Sequence, residues 1–376
     1  MPQKAIAIYL PGLHGGGIER VSLNLAEMWQ KNDDVQVTLV VNQLVGALTS
    51  QIPESVKVFE LGARRSLTAF PGLARYLSAN TPDVLLCGHD HNGIIAIWAR
   101  AIASSRTRLA IWHHAPLSTH SKKVRHWQYR IMPFLARLFI RFADYHFAVS
   151  KGVANDIAAI TQLPIEAFQV IHNPVVPSDV ATKSAQVCAH PWLQHENKSD
   201  VVNKSDVVMG VGRLMPEKDF PTLLRAFGHM RKLRKGRLII LGEGAERSSL
   251  MALAAELGIS ADIDFLGFQD NPFRYLAKAD LFVLSSAWEG FWNVLVEAMS
   301  CGTPVISTDC PFGPREILVD GKFGTLVPVG DDQALASAME AMLEQPTPAN
   351  VLKDRAADFD IETIAAQYLK HLLPER

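Results

Sequence analysis

The chain of 376 residues carries 37 Lys and Arg against 38 Asp and Glu, for a formal net charge of −1, with 48% hydrophobic and 20% charged residues. That length suggests two to three domains with ample core, and the composition excludes collagen-like, coiled-coil and disordered classes. Cys87, Cys188, Cys301 and Cys310 are dispersed, with no C-x-x-C pair, which excludes a zinc ribbon, a redox motif or a disulfide framework and fits a reducing cytosol.

In chain order, the N-terminal MPQKAIAIYLPGLHGGG has a short apolar run ending at Gly12 and no small-residue cleavage site after it, so it reads as a first strand rather than a signal segment. Ala5–Leu10, Val35–Val41, Asp83–Cys87, Arg108–Trp112 and His146–Val149 read as buried strands separated by helical patterns. Such alternation predicts right-handed crossovers and a doubly wound parallel sheet, giving an α/β domain over residues 1–174. Arg100 and Arg137 interrupt the longest apolar stretches, so no spanning helix is expected.

Periodicity is lost over residues 175–206, which read as a linker; Asn-Lys-Ser-Asp-Val-Val occurs there twice in succession, at Asn197–Val202 and Asn203–Val208, as a duplicate in a tolerant loop. Alternation restarts with the strand Val207–Val211, the helix Phe220–Arg234, Arg237–Leu241, Ala245–Leu257, Asp264–Leu266, Leu281–Leu284 and Val305–Ser307. Residues 207–360 are therefore a second doubly wound domain, and the last helix, Ile361–Leu373 within 361–376, is free to pack on either one. Two such domains would face a cleft, with ligand-binding loops at the carboxyl ends of the strands.

Three strand-end segments carry the chemistry. After Leu281–Leu284, Glu289-Gly290-Phe291-Trp292 leads into a helix bearing Glu297; the free N–H groups of a helix start suit a phosphate, and the two carboxylates suit sugar hydroxyls. After Val207–Val211, Gly212-Arg213-Leu214-Met215-Pro216-Glu217-Lys218-Asp219 places two cations beside one polyanion, with Asp219 as N-cap of the next helix. After the first strand, Gly12-Leu13-His14-Gly15-Gly16-Gly17 lets a ligand approach the backbone closely.

Together these segments resemble the retaining, nucleotide-sugar-dependent glycosyltransferases of GT-B fold with an E-x7-E motif, the group that assembles bacterial cell-wall, capsule and lipopolysaccharide glycans. The likeness runs through Val149-Ser150-Lys151-Gly152, Val170-Ile171-His172-Asn173-Pro174, Leu241-Gly242-Glu243-Gly244 and Gly302-Thr303-Pro304-Val305 as well. It implies that Arg213 and Lys218 bind the donor diphosphate, that Glu297 holds the ribose and that Glu289 lies near the donor sugar. It implies His114 as the catalytic-cleft histidine, with His113 as the alternative, and Gly16 and Gly17 at the diphosphate from the first domain. Phe291, Trp292, Asn293 and Val294 complete the donor-binding set. Trp292 stands where the group usually has a small residue or proline, which narrows the pocket.

The expected activity is metal-independent transfer of a hexose or N-acetylhexosamine from a nucleotide sugar, a UDP-sugar foremost, to a lipid-linked or growing glycan acceptor. No cofactor is expected, because the cations and the helix N-terminus meet the charge that develops on the leaving diphosphate. The same fold also serves sugar-nucleotide epimerases and phosphorylases, which are the alternative reading. Gly242-Glu243-Gly244-Ala245-Glu246-Arg247 lacks the third glycine of a dinucleotide fingerprint. His89-Asp90-His91 and His113-His114 read as lining an acceptor pocket or satisfying backbone groups rather than as metal ligands.

From Arg64 to Lys151 the chain has 13 basic residues against the acids Asp83, Asp90 and Asp144. Within it, Lys122 to Phe142 interleaves cations with Trp127, Tyr129, Phe134, Leu138 and Phe139, the pattern of a helix on an anionic membrane surface. This predicts a cytoplasmic protein peripheral to the inner face of the membrane; a non-catalytic membrane adaptor is the second alternative, and nucleic acid is not an expected partner. Acceptor determinants are expected in the loops Leu44–Leu48, Ser66–Phe70 and Ser118–Arg125.

Overall fold

A computed structural model describes residues 3–119, 127–194 and 205–374, and the side chains of all of these except 127–129. Lys122, Lys123, Arg125, the first Asn-Lys-Ser-Asp-Val-Val copy and most of the loop Ser118–Arg125 lie outside the described residues, as do the side chains of Trp127 and Tyr129. The chain divides into one unit of Met1–Val175 with Ile361–Arg376 and a second of Val176–Asp360.

The first unit is built on a parallel sheet of β1 (Lys4–Leu10), β2 (Val35–Val41), β3 (Lys57–Glu60), β4 (Val84–Cys87), β5 (Arg108–His113), β6 (Tyr145–Ala148) and β7 (Phe168–Val170), in the order β3-β2-β1-β4-β5-β6-β7. The connecting helices are α1 (Gly17–Gln30), α2 (Phe70–Asn80), α3 (Asp90–Ala103), α4 (Trp127–Phe139) and α5 (Lys151–Thr161). The inner strands are continuous apolar runs because both faces of the sheet are covered: Ile6 to Leu10 and Val84 to Cys87 are almost wholly buried. Strand order reverses between β1 and β4, so the loops after these two strands meet at the carboxyl edge.

In the second unit α6 (Val180–Ala185) precedes β8 (Asp206–Val211), α7 (Phe220–Arg231), β9 (Gly236–Leu241), α8 (Arg247–Glu256), β10 (Ile263–Gly267), α9 (Phe273–Leu276) and β11 (Leu281–Leu284). α10 (Asn293–Cys301), β12 (Val305–Thr308), α11 (Pro314–Ile317), β13 (Thr325–Val327), α12 (Asp332–Glu344) and α13 (Ala349–Ala356) complete it. The order is β10-β9-β8-β11-β12-β13, with every pair parallel, and the reversal falls between β8 and β11. Phe220, Leu223, Phe227 and Met230 of α7 pack against Leu238 and Ile240 of β9 in its core.

The final helix, α14 (Ile361–Leu372), belongs to the first unit. Its Ala365 carbonyl accepts the Trp29 indole N–H at 2.9 Å, and the Tyr368 hydroxyl donates to Ile171 at 3.0 Å. The described part of the segment read as a linker is ordered on the second unit. Val176 N–H donates to Phe359 at 3.0 Å, Asn271 donates to the Lys183 carbonyl at 2.8 Å, and the guanidinium of Arg237 lies 4.9 Å from the Trp192 ring centre.

Candidate active site

The second unit gathers its chemistry at the β8/β11 reversal. The loop after β8 is locked to the loop after β9 backbone on backbone: Gly212 N–H donates to Leu241 at 2.9 Å, Leu214 N–H to Glu243 at 2.9 Å, and Glu246 N–H back to Leu214 at 3.0 Å. It is locked to the loop after β11 as well, since Ala287 N–H donates to the Glu217 carbonyl at 2.8 Å and the Ser285 hydroxyl to the Lys218 carbonyl at 2.9 Å. Two segments far apart in sequence therefore hold Lys218 and Glu289 in one place, where they form a mostly buried ion pair.

Glu289 also accepts the Ser286 hydroxyl at 3.2 Å, and Ser286 is fixed in turn by the Thr308 hydroxyl on its carbonyl at 2.5 Å. Burial raises the Glu289 carboxyl above its ordinary range, with the Glu217 charge adding to the effect and Lys218 and Ser286 opposing it. Arg213 is exposed and pairs with Glu217 at 3.1 Å. Asp219 stands at the N-cap of α7 in the left-handed region, φ 45°, its carboxylate accepting the Thr222 hydroxyl at 2.8 Å.

Trp292, expected to narrow the donor pocket, packs inside the second unit. It is fully buried, at the N-cap of α10, with the Lys218 ammonium 5.7 Å from its ring centre. Its indole N–H has no hydrogen-bond partner. The ring fits because residue 313 is glycine, at φ 145°; a Cβ there would meet the indole at 2.6 Å. Phe291 is buried with its ring 5.8 Å from Phe359, while Asn293 and Val294 are half-buried at the start of α10 and Glu297 is 9% exposed one turn on. Ser285, Ser286, Glu217 and Thr308, which frame the Lys218–Glu289 pair, were not separable in the sequence from ordinary strand-end polar residues.

In the first unit the Gly12–Gly17 loop is held by the loop after β2: Leu13 N–H donates to Val45 at 2.9 Å and Leu48 N–H to Leu13 at 3.0 Å. Gly16 is the N-cap of α1 and Gly17 its exposed first residue. Next to this loop in the strand order, the segment after β4, the end of β5 and the body of β6 carry a group of imidazoles, His89, His113, His114 and His146. His113 pairs through Nδ1 with Asp90 and lies through Nε2 3.4 Å from His146, so both its ring nitrogens are engaged inside the fold. His114, 8% exposed, lies beside Trp112 with ring centres 4.2 Å apart, and its Nε2 has no hydrogen-bond partner. Of the two neighbouring histidines, His114 is the one with a ring nitrogen to offer a ligand.

Burial, aided by His89 and His113, drives the His114 imidazole far below its ordinary range, and burial lowers His89 and His146 to about 3. The unfolded chain takes up protons at these sites below pH 6.5 while the fold does not, so stability is full above that value and lost as pH falls. At about pH 5 the expected loss is roughly 2 kcal/mol for each of His89 and His146. Urea unfolding at neutral and acid pH measures it, and His146→Gln should remove one share of the slope.

This architecture, two doubly wound units with cations and carboxylates at the strand-order reversal, is that of a GT-B enzyme. Residues 15–179 match the family model described as Glycosyltransferase Family 4, and residues 194–359 the model described as Glycosyl transferases group 1. The chain is a glycosyltransferase belonging to this GT-B family. It is 28% identical over 98% of its length, and 99% of the relative's, to the N-acetylgalactosamine-N,N'-diacetylbacillosaminyl-diphospho-undecaprenol 4-alpha-N-acetylgalactosaminyltransferase of Campylobacter jejuni. It is 28% identical over 68% of its length, and 64% of the relative's, to the lipopolysaccharide 1,6-galactosyltransferase of Salmonella typhimurium. Among solved structures, HepE of Anabaena in complex with UDP-glucose has the same fold, with a TM-score of 0.80 at 21% identity and coverage of 98% and 99% of the two chains.

Proposed function

We propose that the chain is a retaining, metal-independent glycosyltransferase that moves a hexose or N-acetylhexosamine from a UDP-sugar to a lipid-linked glycan at the inner face of the cytoplasmic membrane. The observation that carries the reading is the meeting of Lys218 and Glu289, with Arg213 on the same loop as Lys218, where β8 and β11 end and α10 begins. Transfer develops negative charge on the departing diphosphate, and the two cations and the N-terminal end of α10 belong to one unit, where they would receive it. Glu297, one turn into α10, is assigned to the ribose, and Gly16 and Gly17 to the diphosphate.

Retention follows from the supply of functional groups. The acceptor hydroxyl oxygen bonds to the anomeric carbon on the face from which the diphosphate departs, the anomeric carbon–phosphate oxygen bond breaks, and the released phosphate oxygen takes the hydroxyl proton, so no protein nucleophile is needed. Glu289 is engaged with Lys218 and Ser286 and serves to orient the donor rather than to attack it. His114, held neutral, offers its unpartnered Nε2 to a donor-sugar hydroxyl. The UDP complex among the structural neighbours and the diphospho-undecaprenol in the Campylobacter relative's name support UDP and a lipid-linked acceptor.

Glu289→Gln tests the assignment. The neutral amide keeps the shape but frees Lys218, so turnover should stay within a few-fold of the parent while the donor KM rises. A collapse of kcat with unchanged KM would instead make Glu289 the nucleophile or base and sink the same-face scheme.

A further inference from the structure

α4 and the short 3-10 turn Ile140–Phe142 that follows it are apolar on two sides. Ala136 and Ile140 are fully buried, and Phe139 turns inward with its ring 5.1 Å from Trp98, edge to face. A second line faces solvent: Ile131, Phe134, Leu138 and Phe142 are 41%, 65%, 44% and 56% exposed. Spaced three, four and four residues apart, they fall within an arc of roughly 80° on a helical projection. Arg130, Arg137 and Arg141, all exposed and spaced seven and four, run alongside that stripe.

We infer that this stripe is the surface by which the protein docks on an anionic phospholipid bilayer, the four apolar side chains entering the headgroup boundary and the arginines meeting lipid phosphates. The charge of the neighbourhood selects this occupant over a protein partner. The 88-residue stretch around it has only three acids, and each is already committed: Asp83 lies 3.8 Å from Lys4, Asp90 pairs with His113, and Asp144 with Arg100. Arg137 donates to the neutral Gln162 amide at 2.9 Å and so keeps its charge uncompensated there. Exposed apolar side chains of this size with a row of guanidinium groups beside them match an interfacial helix. A transferase that draws its acceptor from a lipid carrier has to reach a bilayer, and in that respect the docking surface rests on the function proposed above.

Flotation with vesicles of phosphatidylcholine alone and of phosphatidylcholine mixed with phosphatidylglycerol tests it. The full chain should bind the mixed vesicles and not the neutral ones. Phe134→Asp with Leu138→Asp should weaken binding at least about tenfold, and Arg130→Gln, Arg137→Gln and Arg141→Gln together by about fivefold per arginine. The substituted side chains are exposed, and a UDP-induced thermal shift equal to the parent's shows that each variant is folded with its donor site intact. Failure of the parent to bind mixed vesicles, or equal binding by the variants, overturns the inference while leaving the transferase reading to its own tests. A dimer in solution that Phe134→Asp dissociates overturns it too, in favour of a second copy on the stripe.

Discussion

Lys218→Met should lower kcat/KM by about 10²- to 10³-fold, the range seen when one charge-stabilising donor is removed from a transition state. The effect is large because the cation is fixed rather than floating. Its carbonyl is bonded by Ser285, its ammonium lies over Trp292, and its partner Glu289 is itself held by Ser286. Methionine keeps an unbranched stem beside Gly212 while removing the charge. The same change takes away the main influence opposing burial at Glu289, whose carboxyl should rise further. Lys218→Arg, which restores charge with a different shape, should recover only part of the activity. Steady-state kinetics across the pair separates charge from packing; a Met variant within threefold of the parent would remove Lys218 from the diphosphate.

The second large effect is on stability. Gly242→Ala should cost about 3 kcal/mol or more, because the position has φ 136° and the added Cβ would stand 1.9 Å from the Gly212 carbonyl oxygen, combining backbone strain with a clash that only backbone movement relieves. Gly258→Ala is the control: it too has positive φ, 69°, but nothing lies within 4 Å of its Cβ, so the expected cost is about 1 kcal/mol. Urea denaturation of the two variants divides clash from strain. Since Gly212 leads directly into Arg213, the Gly242 variant should also lose donor affinity even under conditions where it remains folded.

The inner strands of both sheets were legible because they are buried on both faces and so read as unbroken apolar runs. The strands that were not, β3, β7 and β13, are three or four residues long and lie at sheet edges; all four residues of β3 are exposed, which leaves no periodic signal. The loops carrying Arg213, Lys218 and Glu289 were legible as strand-end motifs. The pairing of Lys218 with Glu289 was not, because it depends on β8 and β11 being neighbours, and strand order is a long-range property that local pattern does not encode.

The same holds for the inward turn of His113 onto Asp90 and His146, which separates it from His114, and for the complete burial of Trp292 against Gly313. On α4 the sequence grouped Phe134, Leu138 and Phe139 as one apolar set. The fold divides them, sending Phe139 to Trp98 and lining up Phe134 and Leu138 with Ile131 and Phe142.

The most direct test of the central claim is a thermal-shift panel of UDP, GDP and ADP and their common sugar conjugates on the full chain, with Glu297→Ala and Glu297→Gln beside it. At a hundredfold excess over its dissociation constant a ligand adds about 2.7 kcal/mol to folding stability, a readable shift. A shift with UDP and its conjugates, absent or much reduced in both Glu297 variants, is the predicted result. No shift with any nucleotide, or one that both Glu297 variants retain in full, would contradict a UDP-sugar site built on α10.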